Sequence, residues 1–152
     1  MRFLLYDAVS GMEKGKSIVG HKTFSLSEEF LRAHFTKTAL VPGVLMIEAM
    51  AQLLGWLVIY SHDFKLSAVM SLIEDVNVSS RLRPGFRAEI HAEIVSTSAR
   101  DSLGTAKMFV DGRLIASIGR IIYVHTKKVD SGELMRLFGY YTGLRPAEMA
   151  DF

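Results

Sequence analysis

The stretch His34-Phe35-Thr36-Lys37-Thr38-Ala39-Leu40-Val41-Pro42-Gly43-Val44-Leu45-Met46-Ile47-Glu48-Ala49-Met50-Ala51-Gln52 decides how the rest of the chain is read. From Val44 to Ile59 nearly every position is apolar, a run too long for one strand. Pro42 suits the first turn of a helix, where its missing N–H is no loss. Glu48, Gln52 and Gly55 stand at i, i+4 and i+7 and so share one face. A helix that is apolar on all sides but one stripe is a buried central helix. Val41 to Tyr60 also approaches the roughly twenty apolar residues that a bilayer span needs. Glu48 and Gln52 lie in its middle, where an acidic side chain is costly, so no membrane span is expected.

After His62-Asp63 the texture changes. Ser67 to Val78, Ala88 to Thr97, Thr105 to Val110 and Leu114 to Val124 are rich in Val, Ile, Phe and Met. Arg83-Pro84-Gly85, Arg100-Asp101-Ser102 and Asp111-Gly112 separate them as turns. Asp-Gly between two apolar strands is a strong hairpin signal, because a type I′ turn needs positive φ at both central residues. Before the long helix, Phe3 to Val9 and Ser17 to Phe24 read as strands, with Gly11 and Glu13-Lys14-Gly15-Lys16 suiting a turn. Ser25 or Ser27 can cap a short helical turn around Glu28–Leu31. Consecutive hairpins beside one long helix make an α+β fold with an antiparallel sheet.

The last segment is set apart. Leu134, Leu137, Phe138 and Tyr141 have helical spacing, an amphipathic stripe that must be buried somewhere. The expected organisation is a main domain at residues 1–128 and a C-terminal helical extension at 129–152.

Composition narrows the function classes. The 152 residues make about one domain, and 49% hydrophobic content excludes disorder. Zero cysteines exclude a disulfide framework, a zinc ribbon and a thiol nucleophile, and fit a reducing cytoplasm. A net charge of +2 is too small to argue for nucleic acid. His21, His62, His91 and His125 form no ligand pair at i, i+3 or i, i+4, so no metal is expected, and no cofactor motif stands out. No Gly-x-Ser-x-Gly elbow supports serine hydrolysis.

Glu48 is the only acidic or basic residue of ordinary charge between Lys37 and His62. A carboxyl group in an apolar helix needs a partner or stays protonated. His34 precedes the polar loop that delivers the chain to the helix N-terminus, where Gly43 and Val44 offer backbone N–H groups and a positive dipole end. A base, an acid and an oxyanion-binding helix end in one segment suit proton transfer. Gln52, one turn past Glu48, can orient it or bridge helix and sheet.

These residues resemble the hotdog-fold (3R)-hydroxyacyl-acyl carrier protein dehydratases of the FabZ/FabA type. The family's His-Phe, Pro-Gly-Val-Leu, Glu-Ala and Ala-Gln elements match His34, Phe35, Pro42, Gly43, Val44, Leu45, Glu48, Ala49, Ala51 and Gln52 without gaps, and Glu at position 48 favours the FabZ branch. The likeness spans about residues 5 to 125. The departures fall in the loop: Thr36-Lys37-Thr38-Ala39 replaces the family's Pro-Gly-x-Pro, and Ala33 replaces a Gly. The resemblance implies a sheet wrapped around the central helix. It also implies a homodimer or trimer of dimers, with a site built from His34 of one chain and Glu48 of the other. The implied substrate rides on the phosphopantetheine arm of acyl carrier protein. A hotdog thioesterase and a non-catalytic acyl-binding protein are the alternatives.

Overall fold

The computed structural model describes residues 3–32 and 37–144. Six strands and two helices follow in the order β1 (Ala8–Glu13), β2 (Ser17–Phe24), α1 (Gly43–Ser61), β3 (Ser67–Val78), β4 (Phe86–Thr97), β5 (Asp101–Val110), β6 (Arg113–Thr126) and α2 (Ser131–Thr142), with one 3₁₀ turn at Glu29–Arg32. The strands form a single sheet in the order β1-β2-β4-β5-β6-β3, and every pairing is antiparallel. The architecture is therefore α+β, one long helix packed on an antiparallel sheet.

The strands alternate as a half-buried sheet must. In β4, Ala88, Ile90 and Ala92 point inward and are buried, while Arg87, Glu89, His91 and Glu93 face out. The inner face meets Met46, Met50, Leu53, Leu54 and Leu57 of α1, all fully buried. Glycines bring helix and sheet together. A Cβ on Gly104 of β5 would lie 2.7 Å from a Leu54 methyl and 2.6 Å from the Glu93 carbonyl oxygen. At the β5–β6 turn both Asp111 and Gly112 have positive φ, 50° and 77°, as the Asp-Gly signal requires.

Two expectations need correction. The first strand is Ala8–Glu13, not Phe3 to Val9, and Gly11 lies inside it at a register shift while Gly15, with φ of 75°, makes the turn. The physical reason is a competing partner: the backbone of Phe3 and Leu5 bonds to the Gln52 side chain instead of a strand. Strand β5 begins at Asp101 rather than Thr105, because Ser98 makes the turn. Its hydroxyl accepts from the N–H groups of Arg100 and Asp101.

Lys22 is the buried cation of the sheet's inner face, 7% exposed. Its ammonium bonds to Glu28 at 2.9 Å and lies 3.5 Å from Asp7, tying the segment after β2 back to the sheet. The C-terminal helix docks onto α1. Asp130 caps its first turn by accepting from the Glu133 N–H, and Gly143 ends it in the left-handed region. Phe138, fully buried, stacks on Tyr60 at 5.5 Å and meets Phe64 edge-on at 5.4 Å.

Candidate functional site

Residue Glu48 sits on the second turn of α1 and is half-buried. One turn on, Gln52 Nε2 donates to Glu48 Oε1 at 2.9 Å and to the Phe3 carbonyl at 3.0 Å. On its other side Gln52 Oε1 accepts from the Leu5 N–H at 2.9 Å. Two acceptors on one side and a donor on the other leave this amide a single sensible orientation. Gln52 thus aims an N–H at the carboxyl group of Glu48 while pinning the chain's N-terminal segment.

Below Glu48, Tyr123 of β6 donates its hydroxyl to the Ala51 carbonyl at 2.6 Å. Burial first, and then the charge of Glu48, push the Tyr123 phenol well above the usual tyrosine range. Sequence reasoning missed Tyr123. It is one apolar-looking position in a strand of them, and only the three-dimensional register brings it under the helix.

Glu48 opens into a groove of about 380 Å³ between α1 and β3. Ala51, Gln52 and Gly55 form its helical wall beyond Glu48, and Trp56 and Ile59 line it further along α1. Ala68, Val69 and Met70 of β3 form the other wall. A larger hollow of about 660 Å³ lies on the outer sheet face, among His21, Arg87, Glu89, His91 and Lys107. None of the residues singled out for chemistry lines it.

Helix α1 starts at Gly43, so Pro42, expected in the first turn, stands just before it because its backbone is extended. Pro42 is the N-cap, with extended φ/ψ of −62° and 131° and no side-chain cap. Leu45 N–H donates to the Pro42 carbonyl at 3.0 Å, and Val44 is 68% exposed. Gly43 has a packing reason as well, since a Cβ there would lie 2.8 Å from Val78 Cγ2. The Val41 N–H donates to the Leu82 carbonyl at 2.8 Å, which sets the turn carrying exposed Arg81 and Arg83 beside this helix end. His34 lies outside the described residues, as do Phe35 and Thr36. The structure thus brings Glu48 and Gln52 together on one groove and places Gly43 and Val44 at the helix start. Among the described residues no cluster of His, Asp and Glu is placed to hold a metal ion.

A family profile described as the FabA-like domain matches residues 1–119. The chain belongs to the FabA-like family. Within this family it is 35% identical over 126 residues to a 3-hydroxyacyl-[acyl-carrier-protein] dehydratase FabZ of Ruminiclostridium cellulolyticum, covering 82% of this chain and 88% of the relative. It is 30% identical over 127 residues to the FabZ of Clostridioides difficile, covering 83% and 89%. Solved structures extend the likeness in fold alone. A Streptococcus mutans protein with acetyl-CoA bound superposes with a TM-score of 0.64 at 15% identity, over 85% of this chain and 95% of that one. A Haemophilus influenzae thioesterase gives 0.63 at 10% identity, over 80% and 79%. The sheet wrapped on one helix is the hotdog fold.

Proposed function

We propose that this chain dehydrates (3R)-3-hydroxyacyl thioesters carried on acyl carrier protein to trans-2-enoyl thioesters, in fatty-acid or related acyl-chain biosynthesis. One observation carries the reading within a FabA-like chain: the carboxyl group of Glu48 stands at the head of an apolar groove, beside a helix N-terminus, with Gln52 fixing its aim.

The chemistry follows from these groups. A proton next to a thioester carbonyl is weakly acidic, so its removal needs a base and stabilisation of the enolate oxygen. His34 is the base that takes the C2 proton. The N–H groups of Gly43 and Val44 receive the developing oxyanion, a contact of the kind worth about 3 kcal/mol. Glu48 gives its proton to the C3 hydroxyl as the C3–O bond breaks, the C2=C3 bond forms and water leaves. Gln52 keeps Glu48 turned toward the groove.

The site is completed by a second copy of the chain. Among the described residues strand β3 pairs only with β6, and its other edge has no strand beside it. That edge carries Val69 at 53%, Met70 at 40% and Leu72 at 39% exposure, apolar side chains that a partner's β3 would cover. In this reading the assembly is a homodimer or trimer of dimers, and each site takes His34 from one copy and Glu48 from the other. Arg81 and Arg83, exposed beside the α1 N-terminus, and Arg87, exposed on the outer sheet face, suit the acidic surface of the carrier.

Incubation with a 3-hydroxyacyl thioester tests the reading: growth of enoyl-thioester absorbance without release of free thiol supports it. Thiol release without enoyl product would make the protein a thioesterase, and no change in either would make it a binder.

A further inference from the structure

The groove runs from small to bulky residues along α1. Its helical wall is a single stripe of α1 that begins at Glu48, passes the small residues Ala51 and Gly55, and stops at the bulk of Trp56 and Ile59. Small residues keep the middle open, and the indole is the first bulky side chain beyond them. Trp56 does not stand by itself. Its ring centroid lies 5.7 Å from Phe138 and 5.8 Å from Tyr141, both on α2. Phe138 is in turn wedged between Tyr60 and Phe64. The indole is therefore braced from behind by a helix that lies beyond the part of the chain matched by the family, residues 1–119.

We propose that Trp56, braced by α2, sets the length of acyl chain this groove accepts. The proposal rests on the dehydratase reading, in which the reacting carbons lie at Glu48. Trp56 is eight positions past Glu48, so at 1.5 Å per residue the indole stands about 12 Å down the helix axis. An extended chain advances about 1.2 Å per bond, which allows about ten bonds between the reacting carbons and the indole. Up to that length each added methylene gains burial against Ala51, Gly55, Val69 and Met70. Beyond it the chain must bend or displace a ring that Phe138 and Tyr141 hold in place. Tyr141 is a positioning residue here, acting through Trp56.

The chain contains one tryptophan, so the indole reports its own contact with ligand. The intact protein is titrated with 3-hydroxyacyl-pantetheine thioesters rising in two-carbon steps, with tryptophan emission and kcat/KM followed for each. Emission is expected to stay constant for short chains and to change once the chain reaches about ten bonds. Over the same range kcat/KM rises by up to about fourfold per methylene and then stops rising. Trp56→Leu is expected to move the limit to longer chains by two to four carbons. Tyr141→Ala is expected to raise the ratio of long-chain to short-chain kcat/KM in the same direction by a smaller factor, a change that a purely structural role would not produce. An emission change that is equal for the shortest and longest chains, or absent throughout, would overturn the ruler, as would length profiles unmoved by both substitutions. Absence of turnover with every chain length defeats the dehydratase reading separately, and the emission threshold with bound thioester still decides the ruler. The wild-type threshold also decides it if either variant fails to fold.

Discussion

The two halves of α1 are made from similar apolar residues and do opposite work. The first half, Gly43 to Gln52, keeps its polar side chains on the groove and leaves Val44 to solvent. The second half is locked. Trp56 and Tyr60 sit among the aromatic rings of α2 and Phe64, Gly15 N–H donates to Ser61 Oγ at 2.8 Å, and His62 Nδ1 donates to the Val58 carbonyl at 2.8 Å. The difference shows how a helix holds a carboxyl group in an apolar setting. Burial at one end secures the backbone, and the other end is then free to spend its exposed positions on reactive groups.

The largest expected effect breaks the reactive half alone. Glu48→Gln keeps the side-chain shape and the acceptor that Gln52 uses, so melting temperature should hold while kcat falls by about 10²- to 10⁴-fold. A variant with full activity would remove Glu48 from the chemistry. The converse change breaks the locked half. Phe138→Ala leaves a cavity among Trp56, Tyr60 and Phe64 and should cost about 3–5 kcal/mol in urea unfolding. A loss under about 1 kcal/mol would mean that the helix-to-helix contact contributes little.

Gln52 joins the two kinds of role, and its replacement should show both in smaller measure. Gln52→Leu removes the bonds to Glu48, Phe3 and Leu5 together. Roughly 1–3 kcal/mol of stability and about tenfold in kcat/KM are expected to go. Unchanged kinetics would make Gln52 a purely structural clamp. The smallest effect lies at the locked end, where the His62 and His125 rings stand 4.7 Å apart. Burial, then the neighbouring His62, hold His125 below the usual histidine range. His21, on the outer sheet face, is lowered as well. A depressed histidine favours the folded state when neutral, so this stability is present above the unfolded pKa of about 6.5 and is lost as pH falls through the folded values. His125→Gln should flatten the fall in melting temperature from about pH 7 to pH 5 in part, leaving the share of His21. A slope identical to wild type would rule His125 out.

Much of this was legible in the sequence for reasons that are local. An apolar run with a polar stripe can only be a central helix, and Asp111-Gly112 can hardly be anything but a hairpin turn. The Glu48–Gln52 contact also followed from one helical turn of spacing. What stayed hidden depends on partners distant in sequence. Phe3–Leu5 has strand-like composition, yet a side chain from residue 52 takes its backbone bonds. The stripe of Leu134, Leu137, Phe138 and Tyr141 announced burial without naming the surface. Only the fold shows that Phe138 and Tyr141 brace Trp56. Tyr123 and the β3 wall enter the site through sheet register, which composition does not encode.

Strand β3 has a consequence for synthesis. Among the described residues it pairs with β6, so Ser67–Val78 leaves the ribosome while β6 is still unmade or inside the exit tunnel. At about 5–20 residues per second, the intervening chain takes a few seconds to appear. For that interval Val69, Met70, Leu72 and the strand's backbone edges are sticky on both sides, where they will finally be open on one. The same property that suits β3 to meet a second copy makes premature meeting between nascent chains the molecule's main hazard. Slowing translation after residue 113, when β3 has left the exit tunnel and β6 has not, should therefore lower the soluble yield more than slowing it before residue 78.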